Sequence, residues 1–185
     1  MNPLVLAGVR TLEVLRAARI DGCVIGGLAV ARWGEPRLTA DVDIVAISMV
    51  EHDREAVDAL LQAFEPRRPD ARQFALEHRV LLLRDASGVP IDVSLGALEF
   101  ERDLAARATP WAVEGCPPLR TCSAEDLVVM KAFAARERDW SDIAGVIARQ
   151  GDRLERGAIL ERFAPLAEFA RDPSAAPRLR AALGT

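Results

Sequence analysis

Apolar residues recur at helical spacing near the start of the chain. Leu4, Leu12 and Leu15 fall on one side of a helical projection, whereas Arg10 and Arg16 fall on the other. This two-sided pattern is typical of an amphipathic helix that covers a core. We therefore expect the chain to open with a helix that ends near residue 20.

Short apolar runs follow and predict the strands of a sheet. Their brevity and their content of β-branched residues are typical of buried strands. The runs cover residues 23–25, 41–47, 80–83 and 91–95, and shorter strands are expected within 111–122. Asp85 to Gly88 is a turn sequence, so the third and fourth runs are expected to form a hairpin. Segments between the runs predict helices at 28–33, 51–64 and 96–108.

The last third of the chain has helical patterning. Ser123 is a suitable N-cap because its hydroxyl can accept a hydrogen bond from the first turn of a helix. Helices are expected from there to about residue 136 and from about 140 to 149. The whole pattern predicts an α/β (α+β) protein. We expect a mixed β-sheet flanked by helices over residues 1–120, and a helical C-terminal extension over 121–185 packed on that core.

Composition narrows the class of protein. Of the 185 residues, 50% are hydrophobic and 28% are charged, as in an ordinary globular domain. The formal net charge of −4 excludes a generally basic, DNA-coating protein and leaves room for a local basic patch. The three cysteines have no paired spacing, so we expect reduced thiols in a cytoplasmic protein. The N-terminus does not resemble a signal peptide and no apolar run is long enough to span a membrane, so we expect no membrane partner.

Two carboxylates stand at the start of the second predicted strand. Asp41 and Asp43 are two positions apart, so they point to the same face, with Cα atoms roughly 6.5 Å apart. Both are charged at neutral pH and repel each other unless a cation lies between them. Mg²⁺ binds one or two protein carboxylates and completes its shell with water and phosphate oxygens. The pair therefore predicts metal-dependent phosphate chemistry.

A third acid and a pair of glycines strengthen this prediction. Asp92 stands between two β-branched residues of the hairpin, where an unpaired acid is costly. If its strand lies beside the Asp43 strand, three carboxylates converge and could share two metal ions about 3.5–4 Å apart. Asp92 could then take the proton of an attacking hydroxyl. Gly26-Gly27, between a strand and a helix, would let backbone N–H groups approach a phosphate closely.

The order of these motifs resembles the nucleotidyltransferase signature of the DNA polymerase β superfamily. That signature is carried by Val24-Ile25-Gly26-Gly27, Asp41-Val42-Asp43-Ile44 and Ile91-Asp92-Val93. The fuller pattern resembles the AbiEii-like toxins of bacterial type IV toxin–antitoxin systems. It consists of Gly26-Gly27-Leu28-Ala29, Arg37-x-Thr39-x-Asp41-x-Asp43, Asp126-Leu127, Lys131, Ala135-Arg136, Asp139 and Asp142-Ile143. Many superfamily members have Gly-Ser where this chain has Gly26-Gly27, so one serine contact to phosphate is missing.

The resemblance implies a role for each matching residue. Asp41, Asp43 and Asp92 would be the catalytic residues and would hold Mg²⁺, as one or two ions with Mn²⁺ as a substitute. The nucleotide would be bound by Gly26, Gly27, Arg37, Thr39 and Lys131. The implied reaction moves a nucleoside monophosphate from an NTP to a hydroxyl acceptor, most readily a tRNA 3′ end or a protein. The resemblance also implies a toxin that has a cognate antitoxin as its partner.

Other functions remain open on sequence grounds. The scaffold could carry a non-catalytic NTP-binding regulatory or interaction protein, or an enzyme that modifies a small molecule such as an antibiotic. In a plain structural domain, Asp41 and Asp43 would be solvated acids, and Gly26-Gly27 only a tight turn. A small acceptor predicts a closed pocket, whereas an RNA acceptor predicts a basic stripe beside the acids. Candidates for that stripe are Arg32, Arg37, Arg67, Arg68, Arg136 and Arg138.

Single residues also have structural interpretations. Asp92 could pair with a core arginine. Arg37 is as suited to pairing with an acid as to touching substrate. Lys131 could extend its ammonium group to solvent from an apolar helix, or be anchored by Asp139 and Asp142.

Overall fold

A computed structural model describes residues 2–170 and 172–184. The chain divides into two compact units. The first is made of Met1–Leu28 and Leu38–Cys122, and the second of Ala29–Arg37 and Ser123–Thr185. Among the described residues, all strands lie in the first unit, and the second unit contains helices joined by loops. The packing of a C-terminal extension from residue 121 onto a core remains a prediction.

The first unit is built on a seven-stranded mixed sheet. Its strands are β1 Asp21–Val24, β2 Val42–Ile47, β3 Glu65–Pro66, β4 Val80–Arg84, β5 Pro90–Gly96, β6 Thr109–Trp111 and β7 Leu119–Thr121. Their order across the sheet is β3-β4-β5-β2-β1-β7-β6. Parallel pairing joins β2 to β5 and β1 to β7, and the other neighbouring pairs are antiparallel. The predicted hairpin is the β4–β5 pair.

Helices flank this sheet, as the pattern of the sequence predicts. Those within the first unit are α1 Pro3–Ala17, α3 Asp53–Ala63, α4 Ala71–His78 and α5 Glu99–Arg107. Helix α2, Gly26–Trp33, begins in the first unit and continues into the second. Asn2 caps α1 by accepting a hydrogen bond from the N–H of Leu4 at 3.0 Å. No sequence signal marked α4, because its buried residues Ala71 and Ala75 are too small to form a visible apolar stripe.

The alternation of side chains along β2 and β5 separates a core face from an acidic face. Val42 and Ile44 of β2 are fully buried in the core, as are Ile91 and Val93 of β5. Successive residues of a strand point to opposite faces, so the residue between Val42 and Ile44 and the residue between Ile91 and Val93 point away from that core. Asp43 therefore lies on the opposite face of the sheet, and Asp92 does too because it occupies the equivalent position of β5.

The second unit contains the remaining helices. They are α6 Ala124–Ala134, α7 Glu137–Gln150, α8 Arg156–Phe163 and α9 Ala175–Leu183, with 3-10 helices at Gly151–Arg153 and Ala164–Phe169. Ser123 caps α6 as predicted, accepting from the N–H of Asp126 at 3.1 Å. Helix α7 begins earlier than expected because Asp139 accepts from the N–H of Arg136 at 3.2 Å and so caps an additional turn.

Two further features concern the chain as a whole. None of the helices in the described ranges is long and apolar enough to cross a membrane. The three cysteines are present as thiols; Cys23 and Cys122 are buried and Cys116 is half-buried.

Candidate active site

The parallel pairing of β2 with β5 brings three acids together. Asp43 stands opposite Asp92 in the register of these strands, and Asp41 directly precedes β2. Each acid contributes one carboxylate oxygen, and these three oxygens all lie within 4.8 Å of one another. All three residues are half-buried. The sequence predicted this convergence only on condition that the two strands were neighbours, and the topology meets the condition.

This set of donors fits a divalent cation such as Mg²⁺ or Mn²⁺. Three carboxylates at this spacing offer hard oxygen ligands, and their mutual repulsion is relieved when a cation is bound. Half-burial leaves a side of the cluster open to water or to phosphate oxygens. Asp41, Asp43 and Asp92 are therefore the residues that would hold the metal.

Gly26 and Gly27 let the start of α2 approach the acids closely. Gly26 has a φ of +59°, which favours glycine, and a Cβ at this position would overlap the carboxylate of Asp43. A Cβ on Gly27 would overlap the side chain of Thr39. The N–H of Gly27 donates to Oδ2 of Asp43 at 3.4 Å. The diglycine is thus more than a turn, because both positions need a residue without a side chain.

Thr39 contacts the acid cluster directly. Its hydroxyl donates to Oδ1 of Asp41 at 2.9 Å. This hydrogen bond fixes the carboxylate of Asp41 just before β2 begins. A contact of Thr39 with the nucleotide remains a prediction.

Asp92 has an arginine partner, as one interpretation of the sequence expected. Nη2 of Arg67 donates to Oδ1 of Asp92. The backbone N–H of Arg67 donates to the carbonyl of Leu82 at 3.0 Å, and Leu82 stands opposite Asp92 in the β4–β5 register. Burial raises the pKa of the Asp92 carboxyl, whereas the positive charge of Arg67 lowers this pKa. Repulsion from the Asp41 carboxylate acts in the same direction as burial, and the pKa of Asp92 lies above its usual value.

Arg37 and Lys131 lie in the second unit, where they share an acid. Nζ of Lys131 is 2.8 Å from both Oδ1 of Asp139 and Oδ2 of Asp142. Nε of Arg37 donates to Oδ1 of Asp142 at 2.9 Å. The side chain of Lys131, the only lysine of the chain, is 7% exposed. Asp139 and Asp142 therefore anchor Lys131, which is one of the two interpretations that the sequence allows. Nucleotide binding by Arg37 and Lys131 remains a prediction.

The electrostatics of this buried network favour the charged forms of its acids. Burial acts to raise the pKa of Asp139, but hydrogen bonds from Arg136 and Lys131 outweigh it and lower the pKa. The pKa of Asp142 is lowered in the same way, with Arg37 and Lys131 as its partners.

Sequence reasoning did not identify the contact between Arg67 and the acids. In the sequence, Arg67 is only one of six arginines that are candidates for a basic stripe beside the acids. No local pattern could assign its partner, since Asp92 is on a different strand.

Comparisons with known proteins identify the fold. Neither protein-family models nor curated proteins match the sequence. Among solved structures, the chain is similar to an antigenic nucleotidyltransferase-like protein from Paracoccidioides brasiliensis, with 17% sequence identity and a TM-score of 0.51 over 95% of this chain and 91% of that chain. A lincomycin-bound lincosamide antibiotic adenylyltransferase, LnuA, is 13% identical, with a TM-score of 0.46 over 78% and 98% of the two chains. The antibiotic-resistance factor ANT(2'')-Ia is 16% identical, with a TM-score of 0.43 over 97% and 92%.

The first of these similarities shows that the chain has the fold of a nucleotidyltransferase. Its mixed sheet flanked by helices is the architecture that the sequence predicts, so the prediction of the fold class is confirmed.

Proposed function

We propose that this protein is a metal-dependent nucleotidyltransferase. In the proposed reaction, the hydroxyl oxygen of an acceptor attacks the α-phosphorus of an NTP, and the bond from that phosphorus to pyrophosphate breaks. The observation that carries the proposal is the convergence of three acids at the parallel β2–β5 pair. Asp43 and Asp92 lie on these strands and Asp41 directly precedes β2, and one carboxylate oxygen of each lies within 4.8 Å of the others. The nucleotidyltransferase fold supports it.

Each acid has a proposed task in this reaction. Asp41 and Asp43 hold the divalent ion, which when bound neutralises the triphosphate and makes the attacking hydroxyl more acidic. Thr39 keeps the Asp41 carboxylate in place through its hydrogen bond of 2.9 Å. Asp92 completes the metal site and accepts the proton of the attacking hydroxyl.

The nucleotide contacts are also proposals. The N–H groups of Gly26 and Gly27 begin a helix, where backbone donors and the helix dipole favour a phosphate. The match of Arg37 and Lys131 to the AbiEii-like pattern supports contact with the triphosphate. Asp142 holds both cations by ion pairs, which restricts the positions they can take.

For the acceptor we propose a tRNA 3′ end or a protein hydroxyl. The basis is the resemblance to AbiEii-like toxins, which also suggests a cytoplasmic toxin neutralised by a cognate antitoxin. Four of the six arginines considered for RNA contact are already paired with acids, so RNA binding there would compete with those pairs. The pairs are Arg37 with Asp142, Arg67 with Asp92, Arg68 with Asp70 and Arg136 with Asp139.

The test is transfer of label from each α-³²P-labelled NTP, with Mg²⁺ or Mn²⁺, to total tRNA and separately to a protein lysate. We expect a labelled acceptor and released pyrophosphate, and at least a hundredfold loss in Asp43→Asn. Asp103→Asn is the matched control, because Asp103 is an exposed acid of α5 outside the cluster.

The other possible results of the transfer assay have distinct meanings. Unchanged transfer by Asp43→Asn would contradict the metal assignment. NTP binding without pyrophosphate release would favour a non-catalytic regulatory protein. Pyrophosphate release without a labelled macromolecule would point to a small-molecule acceptor.

A further inference from the structure

Arg67 is a cation in direct contact with the acid cluster. Its Nη2 donates to Oδ1 of Asp92, whereas Oδ2 of Asp92 accepts no hydrogen bond from the described residues. The two oxygens of this carboxylate therefore have different surroundings. One oxygen faces the guanidinium group of Arg67, and the other is available to a metal ion or to an incoming hydroxyl.

The sheet positions the backbone of Arg67. The residue directly follows the edge strand β3, and its N–H is tied to the carbonyl of Leu82 on β4 at 3.0 Å. Its Nε is buried without a hydrogen-bond partner in the part of the chain that the structure describes, and 24% of the side chain is exposed. The backbone contact places Arg67 beside β4, and the hydrogen bond to Asp92 places its guanidinium group at the acid cluster.

We propose that Arg67 is the internal counter-ion of the metal site, and that it sets both the affinity for the divalent ion and the orientation of Asp92. The inference rests on the proposed function, because it requires the three acids to bind metal. Without metal, the guanidinium offsets one of the three negative charges. With metal, its positive charge opposes the ion and weakens binding. By holding Oδ1, Arg67 directs Oδ2 toward the reaction, as outer partners of metal ligands commonly do.

The contacts favour this role over contact with RNA. A phosphate could recruit Arg67 only by competing with Asp92, which is within direct hydrogen-bond contact. Arg72 offers a contrast for the experiment. It lies on α4 of the same unit, forms an exposed ion pair with Asp58 at 2.7 Å, and has no part in the acid cluster.

The experiment measures Mn²⁺ binding by electron paramagnetic resonance in nucleotide-free protein, then the transfer kinetics. We expect Arg67→Gln to bind Mn²⁺ about tenfold more tightly, because a positive charge beside the ion is gone. We also expect its kcat to fall at least about tenfold, because Asp92 loses its orientation. Arg67→Lys keeps the charge and should bind Mn²⁺ within about twofold of the wild type. Arg72→Gln should match the wild type in both measurements.

Tighter metal binding together with slower transfer is a combination that general structural damage does not produce. An unchanged Mn²⁺ affinity in Arg67→Gln would overturn the inference, and so would weaker binding accompanied by a lower melting temperature. A higher KM for tRNA with unchanged Mn²⁺ affinity would assign Arg67 to RNA contact instead. If the wild type binds no more Mn²⁺ than Asp43→Asn, the proposed function itself fails, whatever the Arg67 variants do.

Discussion

Replacing Lys131 with methionine tests the buried ionic network of the second unit. Lys131 is 7% exposed and lies 2.8 Å from each of two carboxylates, Asp139 at 0% and Asp142 at 6% exposure. Methionine is similar in length to lysine and carries no charge. The substitution therefore removes a cation from two buried acids while keeping most of the packing volume.

The expected loss of stability is about 3 kcal/mol. Removing one partner of a buried ion pair costs about 3–5 kcal/mol, because the other charge is left buried without compensation. Here each acid keeps a second cation, Arg136 for Asp139 at 2.7 Å and Arg37 for Asp142 at 2.9 Å, so the lower end of that range applies. For a chain of this size, such a loss lowers the melting temperature by roughly 6–12 °C.

The assay is thermal and urea unfolding followed by circular dichroism, without nucleotide or metal. Arg72→Met is the control, because its ion pair with Asp58 has a similar length of 2.7 Å but is about half exposed. Exposed pairs contribute at most about 1 kcal/mol. If Lys131→Met loses no more stability than this control, the argument from burial is wrong.

Two further predictions concern strain at the site and the effect of acid. Gly26→Ala should abolish transfer, because the new Cβ would overlap the Asp43 carboxylate. Gly88→Ala is the control: Gly88 has a φ of +87° and nothing within 4 Å of a Cβ, so the substitution should cost a similar backbone strain of about 1–2 kcal/mol and leave transfer intact. Equal transfer activities of the two variants would contradict the prediction. Because the folded-state pKa values of Asp139 and Asp142 are lowered, their stabilisation is complete above the unfolded pKa of about 3.9 and is lost as the pH falls through the folded values. The urea midpoint of unfolding should therefore fall steadily below about pH 4. A constant midpoint in that range would contradict the lowered pKa values of the two acids.

Local structure was largely readable from the sequence. The opening helix, the β4–β5 hairpin and the cap at Ser123 each depend on residues close together in the chain, and all are present. Helix α4 was missed, because its buried face is made of alanines that do not stand out in a polar segment. The resemblance to nucleotidyltransferases, which rested on short motifs around Gly26 and three acids, correctly predicted the fold.

The partners of the charged residues could not be read in the same way. Asp92 and Arg37 each had two interpretations on sequence grounds, and the structure pairs them with Arg67 and Asp142. In both cases the partner is distant in the chain and has no pattern that sets it apart from other residues of the same charge. A long arginine can reach many acids, so only the packed backbone selects one.

The sequence by itself determined most of the helices and strands, and that Asp41 and Asp43 share a face, because these properties follow from the period of the backbone. Only the tertiary structure decided that β2 lies beside β5 in parallel, which brings Asp92 opposite Asp43. Strand order has no local signal. It depends on the burial of side chains such as Ile44 and Ile91 from distant parts of the chain in one core.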